Sequence, residues 1–349
     1  MQLIILLKNI LYGLVISILT VILIIILFEI SLRLFRQEIH LQKKHVFQSG
    51  LLKQKVASPQ AYEFIPNQKN RDKNGILFTI NNYGIRGDNE ISDENILLVG
   101  DSMIFGVNVE YDDTISRKLQ KKLNNNGYNY KVINTSVPGY NIIQEAELIK
   151  KLLPIYKPKI LIWSLYYNDF YSEKFIYNNK NNITVYKVQN MPIPNVLNLK
   201  SKNHISLLNL HIYSWLCKRI NTINYLLKIN VPSNYFYNSY NAKLVEETKK
   251  AINQIVEKAK LENIKILFTS INFDNDYPEQ VFHQNIFDEI TNSYNLPYSK
   301  IIFKNLNYKR EEVVSDIYNH PNELGNDIAA NELALKLIDL NYLYSYDKK

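Results

Sequence analysis

Apolar and polar positions divide the chain into one unbroken hydrophobic run and a long alternating region. From residue 10 to 28 the sequence reads ILYGLVISILTVILIIILF, with no charge. That is close to the length a bilayer hydrocarbon core requires, and a run apolar on every face does not suit the one-sided packing of a surface helix. The next residues, EISLRLFRQEIH, offer no small-residue cleavage site. The pattern therefore predicts an uncleaved signal-anchor helix within residues 1–36, with Glu29 at the interface and Arg33 and Arg36 just beyond it.

Residues 37–75 are polar and aperiodic and read as a weakly structured connector. The segment ILFTI then suggests a strand, followed by turns at Gly84 and Gly87. After it, short apolar runs alternate with helical periodicity. The runs NILLVG, YKVINTS, KILIWSLY and IKILFTSI are predicted strands, and helices are predicted over 114–125, 142–153, 242–261, 278–294 and 322–340. Four strand–helix alternations predict a parallel sheet with helices on both faces and right-handed crossovers, in one domain over 76–345. Between residues 170 and 237 the alternation lapses into an Asn-, Tyr- and Lys-rich stretch with one helix expected around 207–227. We read it as an insertion that supplies a lid or pocket wall.

Composition narrows the picture. With 349 residues, 46% of them apolar and 21% charged, the chain has the make-up of a folded protein. The formal charge of +8 comes from scattered lysines rather than a basic helix, which points away from nucleic acid. Cys217, the only cysteine, lies in the apolar stretch HIYSWLCKRI and reads as a buried, inert thiol. One cysteine allows no internal disulfide, and no metal or other cofactor is indicated. Charge also bears on orientation: Lys8 precedes the apolar run, whereas Arg33, Arg36, Lys43 and Lys44 follow it. Counted strictly, this keeps the large domain in the cytoplasm, although long domains can translocate regardless of charge.

Candidate chemistry sits where strands end. The run ILLVGDSMIFG stops at Gly-Asp-Ser, which places Ser102 on a tight turn at the carboxyl edge of the sheet, near the positive end of a helix dipole. In NTSVPGYN, Gly139 lets the backbone turn and present an N–H to the same crevice. In YYND, the Asn168 amide can donate to a developing oxyanion. In DIYNHPNELG, His320 can take the Ser102 proton, with Asp316 four positions earlier to orient its ring. Each block alone is also ordinary turn chemistry. Their conjunction, in one chain order at one sheet edge, carries the reading.

These four blocks resemble those of the SGNH/GDSL hydrolase superfamily. The resemblance covers roughly residues 80–340, and the upstream NNYGIRG and the anchor are similar to a bacterial membrane-anchored branch. It implies a flavodoxin-like three-layer α/β/α sandwich with a parallel central sheet, plus one N-terminal transmembrane helix. It also implies Ser102 as nucleophile, His320 as base and Asp316 as its orienting acid. The Ser102 and Gly139 N–H groups and the Asn168 amide would form the oxyanion hole. Two features depart from the family pattern: three residues, not two, separate Asp316 from His320, and Tyr166-Tyr167 precede Asn168 where a glycine is usual.

The expected activity is hydrolysis or transfer of an O-acyl group, acetyl foremost, on an acylated glycan or lipid of the cell envelope, without cofactor. The expected location is the membrane, with the domain extracytoplasmic as the resemblance implies. A non-catalytic glycan-binding or assembly protein on the same fold and a lysophospholipase are the alternatives. Tyr166, Tyr167, Phe170 and Tyr171 fall near the site by sequence position, or serve packing.

Overall fold

The computed structural model describes residues 2–35, 51, 53–56, 59–60, 62–72, 74–166, 169, 173–177, 183–187, 242–274, 278–316 and 319–344. The N-terminal element is helix α1 (Gln2–Phe35). Its residues 8–31, with mean hydropathy 3.1, are long and apolar enough to cross a membrane. The Ser17 and Thr20 hydroxyls donate back to the Gly13 and Ile16 carbonyls at 2.8 and 2.9 Å. Both polar side chains are thus satisfied within the helix, as hydrocarbon surroundings would demand.

The main body is built on a five-stranded sheet. Its strands are β5 (Asn95–Val99), β6 (Lys131–Asn134), β7 (Ile160–Ser164), β10 (Lys265–Asn272) and β11 (Tyr298–Ile302). They lie in the order β6-β5-β7-β10-β11, every pair parallel. The order reverses direction at β5, so the crevice beyond the carboxyl ends of β5 and β7 is the switch point where open α/β sheets hold their ligands.

Successive residues of β5 face opposite layers. Leu97 and Val99 join Leu161, Trp163 and Phe268 beneath α4 (Ile142–Tyr156), α5 (Ala242–Leu261) and α6 (Pro278–Ser293). Ile96 and Leu98 join Ile160, Ile162 and Leu267 beneath α3 (Ile115–Asn125) and α8 (Glu323–Asp339). Being buried on both faces is why these strands read as continuous apolar runs. Two single-turn helices, α2 (Ser102–Phe105) and α7 (Arg310–Val313), complete the α-helices among the described residues.

Two departures from the sequence reading have physical causes. Strand β11 was not anticipated: it is the sheet edge, and its residues are mostly half-exposed, so YSKII shows no buried-strand pattern. Residues 53–71 are not weakly structured. They contain β1 (Lys53–Lys55) paired with β2 (Tyr62–Phe64), and β3 (Gln68–Arg71) paired with β4 (Leu77–Ile80), all antiparallel. Tyr62 and Phe64 are fully buried, with ring centroids 4.9 Å from Tyr140 and 5.5 Å from Phe105. Two aromatics with one residue between them are too short a pattern to read alone; their partners lie far along the chain. Helix α4 also runs a turn past its expected end, carrying Pro154 within it and closing at Lys157 in the left-handed region. Within the expected insertion, β8 (Glu173–Tyr177) and β9 (Ile183–Lys187) form an antiparallel hairpin. The helix expected around 207–227 and Cys217 lie outside the described residues.

Candidate active site

Strand β5 ends at Val99, and Gly100-Asp101 carries the chain into α2, whose first residue is Ser102. The turn is tight because Gly100 has no side chain: a Cβ there would come within 2.7 Å of Ile104 Cγ1 and 3.1 Å of Ser164 Cβ. Asp101 caps the turn, its Oδ1 accepting the Met103 N–H at 2.9 Å. Because α2 is a single turn, a macrodipole adds little at Ser102, contrary to the sequence expectation; the free backbone N–H groups are what the turn offers.

His320 arrives from the opposite end of the chain, on the loop before α8. Asn322 caps that helix, its Oδ1 accepting the Gly325 N–H at 2.9 Å. His320 Nε2 lies 2.9 Å from Ser102 Oγ. His320 Nδ1 lies 2.6 Å from Asp316 Oδ2. A carboxylate only accepts, so Nδ1 carries the proton and donates to Asp316, leaving Nε2 as the acceptor facing the serine hydroxyl. The longer spacing between Asp316 and His320 is accommodated by Asn319, which takes a left-handed conformation (φ 66°). The loop is closed by the Ser315 N–H donating to the His320 carbonyl at 2.8 Å. Ser102 Oγ also lies 3.4 Å from Asp101 Oδ2, a much longer contact than the one to His320.

Gly139 sits in a four-residue turn closed by the Tyr140 N–H donating to the Val137 carbonyl at 3.1 Å. Pro138 and Gly139, with φ +90° at the glycine, fit the central positions of a type II turn. The unanticipated β2 segment pins both sides of it. Tyr62 Oη donates to the Pro138 carbonyl at 2.9 Å, and Tyr140 Oη donates to the Tyr62 carbonyl. Gln60 Nε2 lies 3.1 Å from Tyr140 Oη, and the Gln60 carbonyl accepts from Gln144 Nε2 at 3.0 Å. Among the described residues, no hydrogen bond occupies the Ser102 or Gly139 N–H. Asn168, like Tyr167, Phe170 and Tyr171, lies outside the described residues. Of its described neighbours, Asp169 Oδ2 accepts the Tyr166 N–H at 2.6 Å, and both residues are buried.

Two residues beside Ser102 have roles the blocks did not reveal. Arg86, from NNYGIRG, is 1% exposed and donates to the carbonyls of Phe105, Gly106 and Val109. Its guanidinium lies 4.5 Å from the Phe78 ring centroid and 5.1 Å from that of Phe105. Asn108, on the loop so held, places Nδ2 2.8 Å from Asp316 Oδ2 and 2.8 Å from Ser315 Oγ. Neither could be read from local pattern, since an arginine among glycines and an asparagine among valines have no partner nearby in sequence. Among the described residues no group of three or more His, Cys, Asp and Glu could hold a metal ion.

The arrangement has the parts of an acyl-transfer site: a serine hydroxyl hydrogen-bonded to an oriented imidazole, with backbone N–H groups on adjoining turns. The family model described as GDSL-like Lipase/Acylhydrolase matches residues 96–333. The chain belongs to that family. As a GDSL-like acylhydrolase it is an ester-bond hydrolase, and the matched span runs from β5 into α8, taking in the Ser102, Gly139, Asn168 and His320 blocks. Solved structures similar to it include the psychrotrophic esterase EstA from Pseudoalteromonas sp., in a form inhibited by monoethylphosphonate, at 14% identity and TM-score 0.45, covering 71% of this chain and 99% of EstA. The lipase/acylhydrolase from Enterococcus faecalis aligns at 13% identity and TM-score 0.44 over 73% of this chain and 99% of its own. The acetyl xylan esterase AlAXEase aligns at 11% identity and TM-score 0.42, over 70% and 99%. No curated protein sequence matches the chain.

Proposed function

We propose that the protein is a membrane-tethered serine esterase that removes an O-acyl group, acetyl in the first instance, from a glycan or lipid of the cell envelope. The observation that carries this reading is the relay from Asp316 through His320 to Ser102, at 2.6 and 2.9 Å. In it, His320 Nε2 takes the Ser102 proton as Oγ attacks the ester carbonyl. The oxyanion forms against the Ser102 and Gly139 N–H groups, with the Asn168 amide as the third donor the resemblance implies. His320 then hands the proton to the departing alkoxide, and a water, deprotonated by the same imidazole, hydrolyses the acyl-enzyme. A sugar hydroxyl in place of that water gives acyl transfer at the same site.

Tethering follows from α1, whose 8–31 segment suits a bilayer and would confine the esterase to acyl groups at one membrane surface. We place the catalytic body outside the cytoplasm. A reporter active only in that compartment, fused after Lys349, is expected to report activity; a reporter active only inside would reverse the placement.

The catalytic test uses the detergent-solubilised full chain, a fluorophosphonate probe and p-nitrophenyl acetate. The probe is expected to label Ser102, and Ser102→Ala and His320→Ala are each expected to lower kcat by about 10³-fold or more. Wild-type turnover no faster than that of both variants overturns the reading. Release of fatty acid from phospholipid vesicles, without release of acetate from acetylated glycan, would replace the substrate class with membrane lipid.

A further inference from the structure

Asp316 reaches His320 within one short loop, and a carboxylate on such a loop can rotate unless something fixes it. Its Oδ1 accepts the His320 backbone N–H at 3.3 Å, a long contact. Its Oδ2 accepts two donors at short range, His320 Nδ1 at 2.6 Å and Asn108 Nδ2 at 2.8 Å. The second amide hydrogen of Asn108 is directed at Ser315 Oγ, 2.8 Å away, and that hydroxyl donates to the His320 carbonyl at 2.9 Å. One amide, two residues beyond the nucleophile block, therefore holds Asp316 directly and the His320 carbonyl through Ser315, at the two ends of the loop that carries the acid and the base. The amide orientation is fixed by its acceptors, because a carboxylate can only receive a hydrogen bond.

Asn108 is itself held. It follows Gly106, which is in the left-handed region (φ 79°), and the Phe105, Gly106 and Val109 carbonyls around it all accept from Arg86. Asn134 Nδ2 adds a bond to the Ile104 carbonyl at 3.0 Å. The loop that begins at the nucleophile is thus anchored before Asn108 reaches across to Asp316.

We propose that Asn108 is a positioning residue that locks the Asp316 carboxylate toward His320, coupling the serine-bearing turn to the acid–base loop. The inference rests on the Ser102–His320–Asp316 reading above. Asn108 acts through Asp316 and not on the substrate, so its loss lowers kcat and leaves KM alone. It also follows that Asn108 matters only while Asp316 is present.

The experiment is a double-mutant cycle in the solubilised full chain, assayed with p-nitrophenyl acetate and by the rate of fluorophosphonate labelling. Asn108→Leu is expected to lower kcat about tenfold, the scale of one hydrogen bond to a charged group, with KM unchanged. Asn108→Asp keeps the side-chain shape but turns the donor into an acceptor, and is expected to fall at least as far. In an Asp316→Ala background Asn108→Leu should change kcat less than about twofold. Equal loss in both backgrounds, or a loss expressed in KM, overturns the proposal as a general structural effect. Full activity of both Asn108 variants beside an impaired Asp316→Ala overturns the role of Asn108 alone. A fully active Asp316→Ala removes the orienting role of Asp316 and this inference with it, whereas a fully active Ser102→Ala overturns the esterase reading itself.

Discussion

A buried guanidinium is costly unless its charge and most of its donors are met; at Arg86 both Nη nitrogens are met by carbonyls, and only Nε is without a partner among the described residues. Three backbone oxygens converge on it from Phe105, Gly106 and Val109, and two aromatic faces flank it. Burial pulls the group down from its ordinary value to about 9, against the opposing pull of Glu110 and Tyr111, so it remains charged at neutral pH. A lysine ammonium is a point donor on a flexible stem; it cannot reach three carbonyls in a fork while stacking on Phe78 and Phe105. Arg86→Lys is therefore expected to lower the free energy of urea unfolding by about 2–4 kcal/mol, since at least one carbonyl is left dry and unpaired. An unchanged urea midpoint would show that the loop does not depend on the fork. In the sequence this residue was visible only as the basic letter of NNYGIRG. Its acceptors lie about twenty residues on, and they are backbone atoms, which no side-chain pattern displays.

At the scale of elements, the chemistry is delivered by strand ends, and those ends were the readable part. β5, β7 and β10 are buried on both faces, so their apolar runs stand out, and the turns after β5 and before α8 carry Ser102 and His320. β11 and the 53–71 strands escaped because one is a half-exposed edge and the others owe their burial to partners such as Tyr140 and Phe105. The same division runs through the site. Ser102, Gly139, Asp316 and His320 could be placed from their positions beside elements, whereas Gln60, Tyr62, Arg86 and Asn108 act across long sequence separations. One element-scale prediction follows from the junction of β5 with α2. A methyl at Gly100 would overlap Ile104 Cγ1 and press on Ser164 of β7, forcing α2 away from the sheet. Gly100→Ala is expected to cost about 1–3 kcal/mol in unfolding free energy, as overpacking does, and to reduce fluorophosphonate labelling of Ser102 more than it reduces stability. Labelling at the wild-type rate would show that the turn absorbs the methyl without moving the nucleophile.

Across the whole molecule, stability is tied to pH by a group far from the relay in sequence. His283 in α6 is 1% exposed, and burial lowers its imidazole from 6.5 to about 3. The folded chain therefore keeps His283 neutral through a range in which the unfolded chain binds a proton. Above pH 6.5 both states leave it neutral and it contributes nothing to the pH dependence; as pH falls from 6.5 toward 3 the unfolded state gains the proton and the fold loses stability. At pH 5 that loss is about 2 kcal/mol, one and a half units at about 1.36 kcal/mol each. Whatever else acid does to the chain, it does equally in a chain that lacks this imidazole. His283→Gln cannot take the proton, so the difference between the two proteins isolates the effect. Urea unfolding at pH 7.5 and pH 5.0 should show the wild type losing about 2 kcal/mol more than His283→Gln between the two conditions, whatever the offset between them at pH 7.5. Parallel losses would mean that His283 is protonated inside the fold. In that case α6 would have to open to water under acid, and the half of the core beneath it would be the first part of the esterase to loosen.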